Sequence, residues 1–372
     1  MRYKVNGGGK RTLLQKEIGS TYWLDPKVIE GLPVKSFKRP EILGVDESYV
    51  SSCRTGIGLI LDELPAKNKI ALLPSFTCES VLDPFLKRGY EVHPYRIDKS
   101  LDINPNNFVE DIKKYNPSVV LVHPYFGFDT TNAIRDIIQP LRQEGIIFIE
   151  DMTQSMFSSF KPLKVNYYVG SIRKWMPIPD GAFTTAINRN TEEDEELVDA
   201  KLKALTEKGE WIINGIGSKE QFRQDFVTAE RILDSRTNAF SMSSVSREIY
   251  DRTDIAKLRQ QRYDNYFHLQ HFLGSDASLR KNLEPILVME NDKVCPFHYC
   301  VYVKEGRKEL QQYLADKDIY ATVIWACPKE FESEIDETGR YIYEHILCFH
   351  VDQRYSEMDM ERIIKELKDY YK

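Results

Sequence analysis

Four short apolar runs between residues 119 and 187 constrain the fold more than any other feature of this sequence. The runs are Val119–Val122, Ile146–Ile149, Val165–Val169 and Ala182–Ile187, and turn residues bound each of them. Short apolar runs with such boundaries are typical of buried strands. A helical stretch at residues 133–143 separates the first two runs, which therefore predict a βαβ unit. We expect an α/β fold built on a central, mostly parallel sheet.

Polar residues follow these runs directly. Ligands of parallel sheets bind beyond the carboxyl ends of the strands, so these side chains should converge on one crevice. They are His123, Asp151, Gln154, Ser171 and Lys174. Such a set suits pyridoxal phosphate (PLP), because a lysine forms a Schiff base with its aldehyde and a carboxylate keeps the pyridine nitrogen protonated. Acidic residues also follow strands in many α/β proteins, and an isolated lysine is usually a solvated charge. From the spacing alone, these residues could therefore equally belong to an ordinary protein surface that binds no cofactor.

The segment Glu150–Ser155, followed by Ser171, Lys174 and Asp180-Gly181-Ala182, resembles a motif of the DegT/DnrJ/EryC1/StrS family. These are PLP-dependent sugar aminotransferases of fold type I with an E-D-x-x-Q segment, a serine, a lysine and an acidic-Gly-Gly turn. The spacing from the lysine to the turn matches, although the serine lies closer to the lysine than in the family. The resemblance implies that Lys174 and Asp151 are catalytic and bind PLP. It also implies that Gln154 supports the cofactor ring or Asp151, and that Ser171 holds the phosphate.

A predicted helix N-terminus supplies a second part of the cofactor site. Small and polar residues precede an apolar helical pattern within Tyr49–Leu61, and such a helix end suits a phosphate. The segment is similar to the G-R-x-A-I turn that binds the PLP phosphate in the family, with Cys53 in place of the glycine. The resemblance therefore implies Arg54, Thr55 and Gly56 as phosphate ligands. Without the resemblance, an ordinary N-cap explains the same residues.

The residue that covers the cofactor ring is less clear from the sequence. The family has an aromatic residue after the threonine that follows the next strand, and this sequence has Cys78 there. Phe76, His123 or Cys78 could cover the ring, and we expect Cys78 to lie near it. The position of His123 faces the cofactor pocket in the family. Asn238 matches the asparagine of a G-x-N-x-R-M loop, which in the family crosses a dimer interface to the neighbour's cofactor phosphate.

Composition excludes several classes of partner. The 372 residues carry a net charge of −6, which favours neither nucleic acid nor an anionic membrane surface. No apolar stretch approaches the roughly 20 residues of a membrane span, and no apolar signal core follows the N-terminus, so we expect a cytoplasmic protein. Six cysteines are too few for a disulfide scaffold. Cys295 and Cys300 flank His298, but no second pair accompanies them, so no metal is predicted.

The sequence predicts three regions. They are an N-terminal segment at 1–45, a large PLP-binding α/β domain at 46–245, and a connector helix with a small α+β domain at 246–372. Gly7-Gly8-Gly9-Lys10 imitates a phosphate loop but lacks the flanking strand and helix.

The resemblance implies transfer of an amino group from an amino acid such as glutamate to a keto sugar linked to a nucleotide, in a homodimer with shared active sites. One alternative is another fold type I enzyme acting on amino acids, in which Arg354 would clamp a substrate carboxylate. A local ion pair with Asp352 explains Arg354 more simply. A second alternative is a non-catalytic PLP-fold protein that binds or regulates. The absence of an aromatic residue at position 78 to stack on the cofactor ring is compatible with this alternative. The presence of Lys174, Asp151 and Gln154 argues against it.

Overall fold

The computed structural model describes residues 2–5, 11–14, 17–25, 27, 47–65, 68–236 and 238–372. Strands β1 (Arg2–Val5) and β2 (Arg11–Leu14) pair in antiparallel fashion. The glycine-rich stretch Gly7–Lys10 lies outside the described residues.

A seven-stranded sheet forms the centre of the described part of the chain. In spatial order its strands are β4 (Ser48–Val50), β10 (Ala182–Thr184), β9 (Tyr167–Ser171), β8 (Ile147–Asp151), β7 (Val119–Val122), β5 (Ile70–Pro74) and β6 (Glu91–Tyr95). All neighbours are parallel except at β10, which is antiparallel to both β4 and β9. The predicted mostly parallel sheet is confirmed, and each of the four apolar runs overlaps one strand, with β8 and β9 extending two residues beyond their runs.

Helices connect the parallel strands and cover the sheet, so the strands are buried as nearly continuous apolar runs. These helices are α1 (Cys53–Glu63), α2 (Glu79–Leu86), α3 (Pro105–Tyr115) and α4 (Arg135–Gln143). Short 3₁₀ turns span Asn132–Ile134 and Ile172–Lys174. The second turn follows β9 directly and carries the predicted lysine to the carboxyl edge of the sheet.

Four helices follow the sheet. Helices α5 (Glu195–Asn214) and α6 (Lys219–Ser235) pack against each other, and α7 (Ser244–Arg252) and α8 (Ile255–Ser275) follow them. The connector predicted as one helix is therefore two. The break lies at Asp254, whose side chain accepts a hydrogen bond from the backbone N–H of Lys257 and begins α8 as its N-cap.

The rest of the chain forms a separate C-terminal layer. Its antiparallel sheet contains β11 (Leu283–Pro285), β12 (His298–Val303) and β14 (Ile346–His350). Its helices are α9 (Ala277–Arg280), α10 (Arg307–Asp316), α11 (Glu337–His345) and α12 (Glu357–Tyr370). None of the described helices combines the length and the apolar character needed to cross a membrane.

The N-terminal segment is attached to this C-terminal layer. Strand β3 (Ile18–Gly19) pairs in parallel with β13 (Ile319–Tyr320). Gly19 has φ +87°, and a Cβ there would lie 2.3 Å from the carbonyl oxygen of Tyr320, so a larger residue would break the pairing. The pairing fixes residues 17–25 beside the carboxyl edge of the central sheet.

Candidate active site

Lys174 is positioned by the turn between β9 and β10. The carbonyl oxygen of Gly181 accepts hydrogen bonds from the N–H groups of Ile172 (3.0 Å) and Arg173 (3.1 Å). Gly181 has φ +126°, a conformation that favours glycine. The next residue, Trp175, is fully buried, and its indole N–H donates to the carbonyl oxygen of Thr153 at 2.7 Å. Within the described residues the ammonium group of Lys174, held between these anchors, makes no hydrogen bond or ion pair.

Asp180, in the same turn, has a structural role. Its carboxylate accepts hydrogen bonds from the N–H and the hydroxyl of Ser243 and from the hydroxyl of Ser246. Ser243 is the N-cap of α7, so the acidic residue of the predicted motif ties the lysine turn to the start of that helix. Burial raises the pKa of Asp180, and the three hydrogen bonds oppose this rise.

Asp151 is the last residue of β8 and is buried. Its Oδ1 accepts a hydrogen bond from the N–H of Thr153 at 2.9 Å. The only described donor to Oδ2 is the thiol of Cys53 at 3.9 Å, a weak hydrogen bond. Burial and the charge of Asp151 raise the pKa of Cys53 well above its usual value, so the thiol is neutral. One oxygen of Asp151 is therefore left to bind a stronger donor.

Gln154 and His123 lie close to Asp151 and Lys174. The Oε1 of Gln154 accepts a hydrogen bond from the N–H of Phe126 at 2.8 Å, which leaves its NH₂ group as a donor. Burial lowers the pKa of His123 to about 4; the charge of Asp151 opposes this shift and that of Lys174 adds to it. His123 is therefore neutral at pH 7.

Five of the predicted residues face one small inner cavity of about 20 Å³. His123, Gln154, Asp151 and Lys174 line it together with Cys78 and Trp325; Thr77, Val81 and Thr153 complete its lining. Cys78 therefore lies where we expected it. Phe76 does not line the inner cavity, because it is buried against Tyr125, Trp325 and Tyr343 at ring-centroid distances of 5.7, 4.8 and 5.0 Å.

Trp325 belongs to this site although sequence reasoning did not select it. Its ring meets that of His123 edge-on, with centroids 5.8 Å apart. It reaches the cavity from the C-terminal layer, between β13 and α11. A lone tryptophan outside regular structure carries no motif, so the sequence offered only its large aromatic side chain as a signal.

A larger outer cavity of about 490 Å³ adjoins the inner one. Both cavities are lined by Cys78, Gln154, Lys174 and Trp325. The N-terminal segment contributes Ser20, Thr21 and Tyr22 to the outer cavity, and the C-terminal layer contributes His298, His350, Asp352 and Arg354. The candidate site is therefore built from three parts of the chain that are distant in sequence.

Helices α1, α5 and α6, with the 3₁₀ turn that carries Lys174, form a cationic wall of the outer cavity. Arg54, Arg173 and Lys201 meet the carboxylates of Glu230 and Asp234 there. Burial alone would raise the pKa of Glu230, but the charges of Arg173 and Lys201 bring it down to about 2. Lys201 and Glu230 were not selected from the sequence, because charged residues on long helices are usually solvated. Arg173 was not selected either, although it directly precedes Lys174.

The predicted phosphate-binding helix is present as α1. Ser52 is its N-cap and accepts the N–H of Thr55 at 3.2 Å. Arg54 pairs with Asp234 at 2.6 Å. Gly56 faces the sheet instead, since a Cβ there would lie 2.8 Å from the side chain of Val169, and its N–H bonds to the carbonyl oxygen of Ser52.

A side cavity of about 630 Å³ lies next to this helix end. Asn238, which is exposed, lines it with Ser52, Arg54 and Thr55 of its own chain. The predicted contact of Asn238 with a partner's cofactor stays a prediction. Ser171 is buried at the end of β9, where its N–H donates to Thr153, and its side chain lines neither the inner nor the outer cavity.

Arg354 forms the local ion pair that the sequence suggested as the simpler interpretation. Its Nε and Nη2 contact Asp352 at 2.7 and 2.8 Å, and its Nη1 donates to the carbonyl oxygen of Thr21. The guanidinium also stacks on the rings of Tyr22 and Trp23. Because these contacts use its donors, Arg354 is poorly placed to clamp a substrate carboxylate.

Glu150 precedes Asp151 on β8 and, because side chains alternate along a strand, lies on the opposite face of the sheet. It is fully buried, its Oε2 accepts the N–H of Leu163 at 2.8 Å, and its Oε1 has no hydrogen-bond partner in the structure. Burial raises the pKa of Glu150 to about 8, against the opposing effects of the Leu163 N–H and Arg135. This carboxyl group should make stability depend on pH.

We expect the free energy of unfolding to fall by a few kcal/mol between pH 5 and pH 9, at about 1.4 kcal/mol for each unit of pKa shift. Folding raises this pKa, so the native state holds a proton that the unfolded state has lost, and this stability is lost as pH rises from about 4.5 to 8. Glu150→Gln should make the free energy of unfolding depend less on pH. Urea unfolding at several pH values measures this free energy for both proteins. The same pH dependence in the wild type and the variant would contradict the assignment to Glu150.

No protein-family model matches this chain, and neither does any curated protein. Among solved structures, Helicobacter pylori PseC, an aminotransferase involved in the biosynthesis of pseudoaminic acid, has a TM-score of 0.67 and 13% identity, over 96% of this chain and 99% of that one. A DegT DnrJ EryC1 StrS aminotransferase from Brucella abortus has a TM-score of 0.65 and 15% identity, over 94% of this chain and 91% of that one. The aminotransferase TlmJ from Streptoalloteichus hindustanus has a TM-score of 0.64 and 18% identity, over 88% of this chain and 87% of that one.

These similarities extend over most of each chain at low sequence identity. They show that this chain has the fold of the DegT/DnrJ/EryC1/StrS-type aminotransferase structures, as the sequence predicted.

Proposed function

We propose that the protein is a PLP-dependent aminotransferase of the DegT/DnrJ/EryC1/StrS family. It would move an amino group from an amino acid such as glutamate to a keto sugar linked to a nucleotide. One observation carries the proposal: Lys174, which has no partner among the described residues, and Asp151 line the same cavity at the carboxyl ends of β8 and β9. The fold shared with solved structures described as sugar aminotransferases supports it.

The residues of the inner cavity fit PLP. They offer an unpaired lysine, a carboxylate oxygen whose only described donor is a thiol at 3.9 Å, and two flanking rings, those of His123 and Trp325. Lys174 would hold the aldehyde carbon and Asp151 the pyridine nitrogen. Ser52, Arg54 and Thr55 at the start of α1 would hold the phosphate, together with the partner subunit's Asn238. Ser171 of the same chain, which the resemblance also implied, lines neither cavity and would have to act from beneath the site. When bound, PLP supplies an electrophilic aldehyde and a ring that accepts electrons.

The residues around the cofactor would divide the remaining work. The amine of Lys174 would take a proton from the substrate carbon and return it, as a general base and acid. The charge of Asp151 would stabilise positive charge on the ring nitrogen. Gln154, held by the N–H of Phe126, would direct its NH₂ group at the cofactor, and neutral His123 would pack on it without adding charge.

The outer cavity supports an anionic substrate. Its lining cations are Arg54, Arg173, Lys174, Lys201, Arg262 and Arg354, and they outnumber its carboxylates, Glu230, Asp234 and Asp352. Its volume of about 490 Å³ lies in the usual range of small-molecule sites. A sugar carried on a nucleotide brings the negative charge that such a lining attracts. We also propose a cytoplasmic homodimer, on the resemblance alone.

An amino-transfer assay with glutamate as the donor tests the proposal. The protein loaded with PLP is offered nucleotide-linked keto sugars and, separately, keto acids, and aminated products are detected by mass spectrometry. We expect transfer to a keto sugar and none to the keto acids. Transfer to keto acids alone would contradict the sugar acceptor, and a protein that takes up no PLP would contradict the enzyme itself.

A further inference from the structure

We infer that His298 binds a hydroxyl group of the sugar acceptor. The inference rests on the proposed function and deepens it. His298 is the first residue of β12, in the C-terminal layer, and lines the outer cavity with Lys174 and Trp325. A side chain in this position meets whatever molecule enters the cavity.

The main observation is a buried imidazole for which no hydrogen bond is found within the described residues. His298 is only 8% exposed, and its Nδ1 is fully buried without a partner among those residues. Nδ1 has no accessible surface, so Nε2 is the nitrogen left to meet a molecule in the cavity, and no described hydrogen bond reaches it. Buried polar groups are nearly always hydrogen-bonded, so an imidazole of this kind in a cavity wall points to a ligand that binds its Nε2.

The adjacent histidine shows the opposite arrangement. His350 pairs with His298 across β12 and β14, and the two rings meet edge-on at 4.6 Å. Its Nε2 lies 3.0 Å from the hydroxyl oxygen of Thr322, and its Nδ1 lies 3.6 Å from Asp352. Both nitrogens of His350 are thus engaged within the protein, so His298 is the one of the pair that is left to bind a ligand.

The charge state of His298 suits a hydroxyl. Burial, followed by the charges of His350, Arg262 and Arg354, lowers the pKa of His298 well below its usual value, and Asp352 opposes this only in part. A neutral imidazole has one donor and one acceptor nitrogen, and a hydroxyl group can both donate and accept. A phosphate or a carboxylate would instead favour the cationic wall of the cavity.

The surroundings of His298 suit an uncharged sugar ring. Tyr22, Phe297, Trp325 and His350 line the same cavity and present aromatic surface. The nearby charges are engaged: the guanidinium of Arg262 bonds to Gln353, Tyr22 and two backbone carbonyls, and Arg354 is paired with Asp352. Such an aromatic wall that contains a polar side chain without a described partner is typical of a site that orients a ligand.

The test uses His298→Phe, which removes both nitrogens but keeps a ring, together with His298→Asn and His298→Gln. The matched control is Tyr299→Phe, which removes another buried, unpartnered polar atom from the next position of the strand but faces neither cavity. Steady-state KM is measured for the keto sugar that the wild type aminates and for glutamate. Thermal unfolding is measured for every variant.

We expect His298→Phe to raise the KM for the keto sugar about tenfold, since one hydrogen bond to a substrate hydroxyl is lost. The KM for glutamate, the PLP absorbance band and the control should not change. His298→Gln should restore binding, since its amide nitrogen can take the place of Nε2, whereas His298→Asn is too short to do so. His298→Phe should be at least as stable as the wild type, because it removes an unsatisfied buried group.

An unchanged KM for the keto sugar in an active His298→Phe variant would overturn the inference while leaving the proposed function intact. An equal rise in Tyr299→Phe would also overturn it, since the effect would then come from the strand. If His298→Phe does not fold, the values for His298→Asn and His298→Gln decide: wild-type KM in both overturns the inference. A wild type that aminates no keto sugar contradicts the proposed function itself.

Discussion

Lys174→Ala is expected to abolish the absorbance band at the edge of the visible range that forms when the protein takes up PLP. The band arises from the covalent link between a lysine and the cofactor aldehyde, and Lys174 is the lysine that lines the inner cavity. Borohydride should bleach the band of the wild type and fix the cofactor on the peptide that contains Lys174. Absorbance spectra and peptide mass spectrometry measure both effects.

Lys201→Ala is the matched control for this experiment. Lys201 lines the outer cavity but not the inner one, is buried, and is paired with Glu230. Its loss should therefore leave a reducible band in place. If Lys174→Ala keeps a band that borohydride bleaches while Lys201→Ala loses it, the cofactor is attached to Lys201 and our assignment of the site is wrong.

Asp151→Asn should retain PLP binding but lower turnover by at least about a hundredfold, the usual scale for losing one electrostatic contact to developing charge. The amide keeps the shape of the side chain and can still accept the N–H of Thr153. It lacks the negative charge that would stabilise a protonated ring nitrogen. Single-turnover rates measured after loading with PLP separate this effect from weaker cofactor binding.

Glu150→Gln provides the control on the same strand. It replaces a carboxyl group by an amide one residue earlier, on the face of the sheet away from the cavities. Burial keeps Glu150 protonated at neutral pH, so this variant loses no charge and its turnover should match that of the wild type. Equal turnover of Asp151→Asn and wild type would exclude Asp151 from the chemistry. A fall in both variants would point to a general effect of an amide on β8.

The central sheet and part of the site could be predicted from the sequence for a physical reason. A buried parallel strand needs a continuous apolar run, and the chain must turn where that run ends, so residues such as Asp151 and Lys174 are placed by their distance from it. Gln154 and His123 follow the same rule. Local pattern thus determined which side chains meet at the edge of β7, β8 and β9.

The remainder depends on contacts that no local pattern encodes. Trp325 reaches the cavity from a loop of the C-terminal layer. Lys201 and Glu230 become cavity residues because α5 and α6 pack against each other and α6 meets α1 through the ion pair of Asp234 with Arg54. Gly56 looked like a phosphate ligand, but the packing of α1 on the sheet turns it toward Val169. The break between α7 and α8 is an exception, since the N-cap of Asp254 was a local signal that the apolar periodicity obscured.

Because β3 pairs with β13, acceptor choice and amino-transfer chemistry depend on different residues, which evolution could change independently. Ser20, Thr21 and Tyr22, just after β3, line only the outer cavity, whereas Asp151 and His123 line only the inner one. Selection for a new acceptor can therefore act on the first residues of the chain and leave the nitrogen chemistry untouched. A library randomised at residues 20–22 should yield variants that keep the PLP band and differ in the sugars they aminate.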